Sequence, residues 1–243
     1  MKVLLTTYLF LLAASSMATS QKTAAAPLRR VQVKEAEQRL ADLGYWTGPV
    51  DGRFDSATRA ALISFQKWEG RTITGRLTTE ELEALRGGAT PVARDGSYEH
   101  VEIDVDRQVL LLVDDKGSVR VLPVSTGTDK PFSYDGQTSI AYTPRGRFVV
   151  YEKGVGWEDN LPGMYYANYI SGGIAIHGSY DVPPQPASHG CIRIPIFAAR
   201  EVSKRLKLGT IVLVYDKVSF VSARSWVENP KLKEAALANS ALN

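Results

Sequence analysis

The residues richest in chemistry stand together. Ser188-His189-Gly190-Cys191-Ile192-Arg193-Ile194 holds the only cysteine in 243 residues, with one of the three histidines two positions before it and a guanidinium two after. A structural cysteine behaves as a small hydrophobe among apolar neighbours. This thiol instead has a titratable ring, a permissive backbone position and a cation beside it, the surroundings in which a thiolate becomes a nucleophile. Acyl chemistry also needs a base. His177 closes the apolar run Ile174-Ala175-Ile176 and is followed by Gly178, so its ring projects from a strand edge into open space. The segment Ser179 to Pro186, with three prolines between Val182 and Pro186, is loop chemistry that can fold back and bring imidazole to thiol. A base within about 3 to 4 Å of the sulfur would draw its proton and give a thiolate and imidazolium pair. The same residues allow two other readings. One is a zinc site of His177, His189 and Cys191, although no familiar four-ligand spacing is present; the other is a purely structural His177.

The start of the chain reads as an export signal: Lys2, an apolar run from Val3 to Ala14, then small residues through Ser20. The run is short for a membrane span, and an uncleaved anchor is the lesser alternative. Secreted chains commonly use cysteines in pairs, which a single cysteine cannot do. A lone thiol exposed to oxidation implies that the thiol itself is used. The formal charge of +3 and the 44% hydrophobic content describe an ordinary globular chain. So small a charge cannot separate nucleic acid from an anionic wall as neighbour.

The elements that must position this chemistry change character once along the chain. After a linker over residues 21–30, Val33, Ala36, Leu40 and Leu43 fall at helical spacing, with Gly44 placed as a C-terminal cap. A turn-rich aromatic loop, Tyr45 to Gly52, leads to a second helix with Asp55 as N-cap and Ala61, Leu62, Phe65 and Trp68 inward. The capping box Thr78-Thr79-Glu80-Glu81 opens a third, carrying Leu82 and Leu85. Gly87 to Pro91 reads as a flexible hinge within a linker over 87–97. Beyond it Val101, Ile103 and Val105 alternate with acidic residues, Val109–Val113 is a denser apolar strand, and Asp114-Asp115-Lys116-Gly117 turns it back toward Val119, Val121 and Val124. Further strands fall at Gly146–Tyr151, Ile174–Ile176 and Ile211–Tyr215. One helix runs from Pro195 through Ala198, Val202 and Leu206 to a stop near Gly209. The fold class is therefore a mainly β domain, a sandwich or open barrel with one helix, preceded by a small all-α three-helix domain. The tail over 217–243 suggests weak amphipathic helix.

Two resemblances follow from these residues. Leu40-x-x-Leu43-Gly44-Tyr45, Gly48-Pro49-Val50-Asp51-Gly52-Arg53-Phe54 and Thr58-Arg59-x-Ala61-x-x-x-Phe65-Gln66 resemble the peptidoglycan-binding domain of cell-wall enzymes, over residues 31–86. In that domain Tyr45 and Trp46 either meet a ligand or only pack the bundle. Ile176-His177-Gly178 with Ser188-His189-Gly190-Cys191-Ile192-Arg193 resembles the signature of the YkuD-type L,D-transpeptidase catalytic domain. Pro123-Val124-Ser125-Thr126-Gly127 and Thr143-Pro144-Arg145-Gly146 support the match, over residues 98–216. The gap between His177 and Ser188 is shorter than in many members. The resemblance implies a cysteine acyltransferase working on peptidoglycan stem peptides, with peptidoglycan as partner, no nucleic acid, and neither cofactor nor metal. It also implies a secreted, periplasmic or wall-associated protein that meets the membrane only through an uncleaved signal segment.

In that chemistry Cys191 attacks the carbonyl between an L-centre and a terminal D-residue, and a neighbouring stem's amine takes the acyl group from the thioester. His177 is the base and later the acid, its tautomer fixed by a backbone carbonyl close to Gly178, with no Asp or Glu placed as third member. The N–H groups around His189, Gly190 and Cys191 form the oxyanion hole, each donor worth on the order of 3 kcal/mol. His189 either positions the thiol or fills the turn. Arg193, Ser188 and Gly178 are assigned to the substrate side, with a salt bridge as the alternative for Arg193. Met164, Tyr165, Tyr166 and Tyr169 form the opposing wall or simply pack. Two competing functions share the sequence: an L,D-carboxypeptidase or stem-peptide hydrolase in which water replaces the amine, and a non-catalytic wall-binding protein.

Overall fold

A computed structural model describes residues 28–219 apart from 135 and 160–162. The expected export signal and the weak helix expected in the C-terminal tail fall outside the described residues.

Three helices come first: α1 (Arg30–Asp42), α2 (Ser56–Trp68) and α3 (Thr79–Gly87). Their ends follow the capping residues of the sequence. Asp55 accepts the N–H groups of Ala57 and Thr58 at 2.9 Å, and Thr78 accepts that of Glu81 at 3.2 Å, each satisfying donors that a helix start leaves open. Gly44 stops α1 at φ +90°, and a Cβ there would stand 2.7 Å from the Val119 carbonyl oxygen, so the chain turns here against a strand of the next domain.

That domain has two main sheets. The strands β1 (His100–Asp104), β2 (Val109–Val113) and β3 (Val119–Pro123) form a meander; β6 (Gly146–Val149) and β11 (Ile211–Tyr215) complete a sheet ordered β3-β2-β1-β11-β6, in which β1 and β11 run parallel. The second sheet is ordered β10-β9-β8-β7, from β7 (Glu152–Lys153), β8 (Tyr165–Ser171), β9 (Ile174–Ser179) and β10 (Ile192–Pro195). A separate hairpin joins β4 (Pro131–Tyr134) to β5 (Gln137–Ile140). The helix α4 (Ile196–Arg205) follows β10 directly, with Pro195 as its N-cap residue; it ends before Leu206 and not near Gly209.

The core explains the dense Val109–Val113 run. Leu110 and Leu112 face the main core, shared with Ile103, Ile176, Ile192, Ile194 and the Ala198, Val202 and Leu206 side of α4. Val109, Leu111 and Val113 point the other way, into a second core with Leu40, Tyr45, Leu62, Phe65 and Leu85 of the helical module. A strand covered on both faces must be apolar at every position, which hides the period of two. The module therefore packs flat on the sheet, and Tyr45 is fully buried there, bridging to Val121.

The linker is tied down beyond its 87–91 stretch, at Arg94 and Asp95. Glu102 of β1 is fully buried and accepts the N–H groups of Arg94 at 3.0 Å and Asp95 at 2.8 Å, and Tyr215 Oη donates to it at 2.9 Å. Burial alone would raise this carboxyl; the bonds from His100, Arg94, Asp95 and Tyr215 outweigh it and hold the group below the usual range. The acidic residues of β1 thus do alternate with the apolar ones, but their face is covered by the linker and not by water.

Candidate active site

His177 and Cys191 come from neighbouring parallel strands. In the β9/β10 register His177 lies beside Arg193. Side chains alternate along strands, so His177, Arg193 and, two residues earlier, Cys191 share one face. That offset, one strand across and two residues along, is roughly 8 Å between Cα atoms, within reach of imidazole and thiol. The opposite face carries Ile176, Ile192 and Ile194 into the core. Cys191 packs against the cluster of Met164, Ala167 and Ala175, and its Sγ lies 3.6 Å from the Gly173 carbonyl oxygen.

His177 is 5% exposed, and its Nδ1 sits 3.0 Å from the carbonyl oxygen of Gly178. A carbonyl can only accept, so Nδ1 carries the proton and Nε2 is left as the basic nitrogen. Burial pulls the imidazole below its ordinary value, with the Arg193 charge adding to that and the Gly178 bond working against it. Burial pushes the Cys191 thiol up, opposed by the Ala175 N–H and by Arg193. Both leading effects favour the neutral forms, imidazole and thiol.

The loop before Cys191 is braced from below by residues whose role the sequence did not announce. Thr126 O accepts the N–H groups of Ala187 at 3.0 Å and Ser188 at 2.9 Å. Ser188 Oγ donates to the Cys191 carbonyl at 2.6 Å and accepts the Gly190 N–H at 3.0 Å. The fully buried Thr143 donates its hydroxyl to Gly190 O at 2.6 Å and accepts the Gly127 N–H at 2.9 Å. Gly190 has φ +141°, and a Cβ there would meet Ile174 Cδ1 at 2.6 Å and Tyr142 O at 2.8 Å, so only glycine fits. The signal for Thr126 and Thr143 lay in the two short segments quoted above, a threonine next to Gly127 and one before Pro144, which nothing local to the sequence ties to Gly190.

Several assignments change. Ser188, placed on the substrate side, is 2% exposed and spends its hydroxyl within the loop. Gly178 faces α4, where a Cβ would stand 2.5 Å from Ala199 Cβ, and its contribution is the carbonyl that orients His177. The Gly190 N–H is already donated to Ser188, which removes it from the oxyanion donors. His189 turns away from the thiol loop's interior and stacks on Phe132 of the β4–β5 hairpin, 4.3 Å between centroids and 2° between planes. Arg193 pairs with the exposed Asp181 at 3.1 Å beside the site. Of the proposed wall, Met164 belongs to the small cluster on which both Tyr169 and Cys191 pack, whereas Tyr165 and Tyr166 lean on the main core. Among the described residues no three or more His, Cys, Asp or Glu side chains gather to hold a metal.

With this geometry in place, the comparisons with known proteins are direct. The YkuD model, the L,D-transpeptidase catalytic domain, matches residues 98–214, and the PG_binding_1 model, a peptidoglycan binding domain, matches residues 29–85. The crystal structure of an L,D-transpeptidase from Xylanimonas cellulosilytica is 38% identical over 79% of this chain and 94% of that one, with a TM-score of 0.71. The chain belongs to the L,D-transpeptidase family. A second L,D-transpeptidase, from Stackebrandtia nassauensis, matches at 22% identity over 79% of this chain and 94% of that one, with a TM-score of 0.44. The N-acetylmuramoyl-L-alanine amidase CwlM of Mycobacterium tuberculosis is 42% identical over 60 residues, 25% of this chain, and the match spans 15% of that protein's length.

Proposed function

We propose that this protein is a cysteine-dependent L,D-transpeptidase that cross-links peptidoglycan through a thioester on Cys191. The observation that carries the reading is the orientation of His177: Nδ1 is tied to the Gly178 carbonyl, so Nε2 is the free base on the face that Cys191 shares.

Attack by Sγ on the carbonyl between an L-centre and the terminal D-residue passes the thiol proton to Nε2. The oxyanion would be met by the N–H groups of His189 and Cys191, held in place because Gly190 is pinned at both its N–H and its carbonyl. The tetrahedral species expels the D-residue's amine, which takes the proton from His177 and leaves the thioester. The amine of a second stem then attacks, His177 takes its proton, and Cys191 leaves as the thiol. Arg193, with an exposed carboxylate as its present partner, would orient a stem carboxylate by exchanging Asp181 for it. The reading places the protein outside the cytoplasm, with residues 1–20 as export signal and the helical module on the wall.

The test is incubation with a purified tetrapeptide donor, with and without an acceptor stem, followed by mass spectrometry. Transpeptidation yields a cross-linked mass that depends on acceptor. Trimmed tripeptide alone, with acceptor present, makes the protein a hydrolase instead.

A further inference from the structure

We infer that Lys67, on the helical module, is a positioning residue for the thiol loop, so that the module is a working part of the active site. The inference rests on the acyl-transfer reading above and extends it to a residue of the other domain.

Lys67 lies near the end of α2, is 5% exposed, and has no carboxylate partner among the described residues. Its Nζ donates to two main-chain carbonyls of the β domain, Gln108 O at 2.9 Å and Val124 O at 3.0 Å. Burying an amino group is costly unless its hydrogen bonds are made, and both acceptors here are main-chain carbonyls of the other domain. The position it grips is itself strained. Gln108 is a non-glycine residue at φ +57°, a conformation that persists only where its surroundings over-determine it.

From Gln108 the bonds run without a break to Cys191. Gln108 Nε2 donates to Val105 O and to Thr126 Oγ1, each at 2.7 Å, and Gln108 Oε1 accepts the Thr126 N–H at 2.9 Å. Thr126 O accepts the N–H groups of Ala187 and Ser188. Ser188 Oγ in turn holds Gly190 N–H and Cys191 O. Gln108, Thr126 and Ser188 are all buried, and the relay runs beside the direct pairing of Ser125 with Arg193 and of Gly127 with Ser188, so it adds side-chain bonds to a seam already in register. Lys67 fixes the strand end from which the loop carrying the oxyanion donors hangs.

The experiment measures donor acylation of Cys191 in the full chain. K67M keeps the stem and removes the charge and donors; K67Q keeps a shorter, neutral donor. V121A serves as seam control, because Val121 fills the same module–sheet core and is not a member of the relay. We expect K67M to lower the acylation rate constant at least tenfold with the donor KM within twofold, K67Q to fall between, and V121A to lose stability with its rate unchanged. The double variant K67M/Q108M should be no slower than Q108M alone, since both cut one line. Wild-type rates in K67M and K67Q overturn the inference, as does a V121A rate that falls with stability just as theirs do. If K67M does not fold, K67Q decides. Failure of the wild type to acylate at all refutes the transpeptidase reading instead.

Discussion

Replacing Thr143 with valine tests how the thiol loop is held. Thr143 is fully buried, and its hydroxyl is the partner of both the Gly190 carbonyl at 2.6 Å and the Gly127 N–H at 2.9 Å. Valine keeps the shape and leaves two buried main-chain groups unpaired. Each such group costs about 1–3 kcal/mol, so Thr143→Val should lose roughly 2–6 kcal/mol, a large part of a typical domain's stability. Thr143→Ser keeps the hydroxyl and should lose far less. The assay is urea denaturation followed by tryptophan fluorescence, with Cys191 acylation measured on the folded fraction. Since Gly190 carries the bond, the folded valine variant should also acylate more slowly. A loss under about 1 kcal/mol with wild-type acylation would refute the claim that this hydroxyl holds the loop.

Three further outcomes follow from the same geometry. Because burial lowers the His177 pKa, the acid limb of the acylation rate should have its midpoint below the ordinary imidazole value of 6.5; a midpoint above it contradicts the buried neutral base. His189→Ala removes the stack on Phe132, worth about 0.5–1.5 kcal/mol, and should lower kcat/KM for the donor by two- to tenfold while alkylation of Cys191 by iodoacetamide is unchanged; equal loss of alkylation would make His189 part of thiol activation. Burial pulls the Lys67 ammonium down from 10.5 to about 7, so between those values the unfolded chain holds a proton that the folded one has released. Stability should therefore rise with pH in that window, by up to about 1.4 kcal/mol per unit, with the two carbonyl acceptors reducing the slope. The difference between wild type and K67M from pH 7.5 to 9.5, by denaturant titration, should show it; a flat difference refutes it.

Much of this was legible in the sequence where the physics is local. Asp55 and Thr78 cap the helices they were assigned, and Ile211–Tyr215 is a strand with the bounds read from its apolar run. The carbonyl next to His177 was read from Gly178 and is there. What stayed hidden depends on distant partners. The strand β8 carries two register shifts, between Tyr165 and Asn168 and between Tyr169 and Ser171, which break the alternation that marks a strand. The segment after Cys191 forms β10 because it pairs with β9, and the four residues Ile192–Pro195 are too few to announce that pairing alone. Nothing local to Lys67 sets it apart on its helix; only the sheet packed over α2 makes it a buried donor. Ser188 and Gly190 were placed on the reacting side because their types suit it, whereas their bonds turn them into the frame under Cys191.

The central claim is a thioester on Cys191 formed with help from His177. Intact-mass measurement after mixing the protein with a tetrapeptide donor, in the absence of acceptor, tests it most directly. The account predicts the mass of the tripeptide acyl group on the wild type, none on Cys191→Ala, and slow appearance on His177→Gln. An adduct on Cys191→Ala equal to that on the wild type, or no adduct on the folded wild type while the donor is consumed, would contradict it.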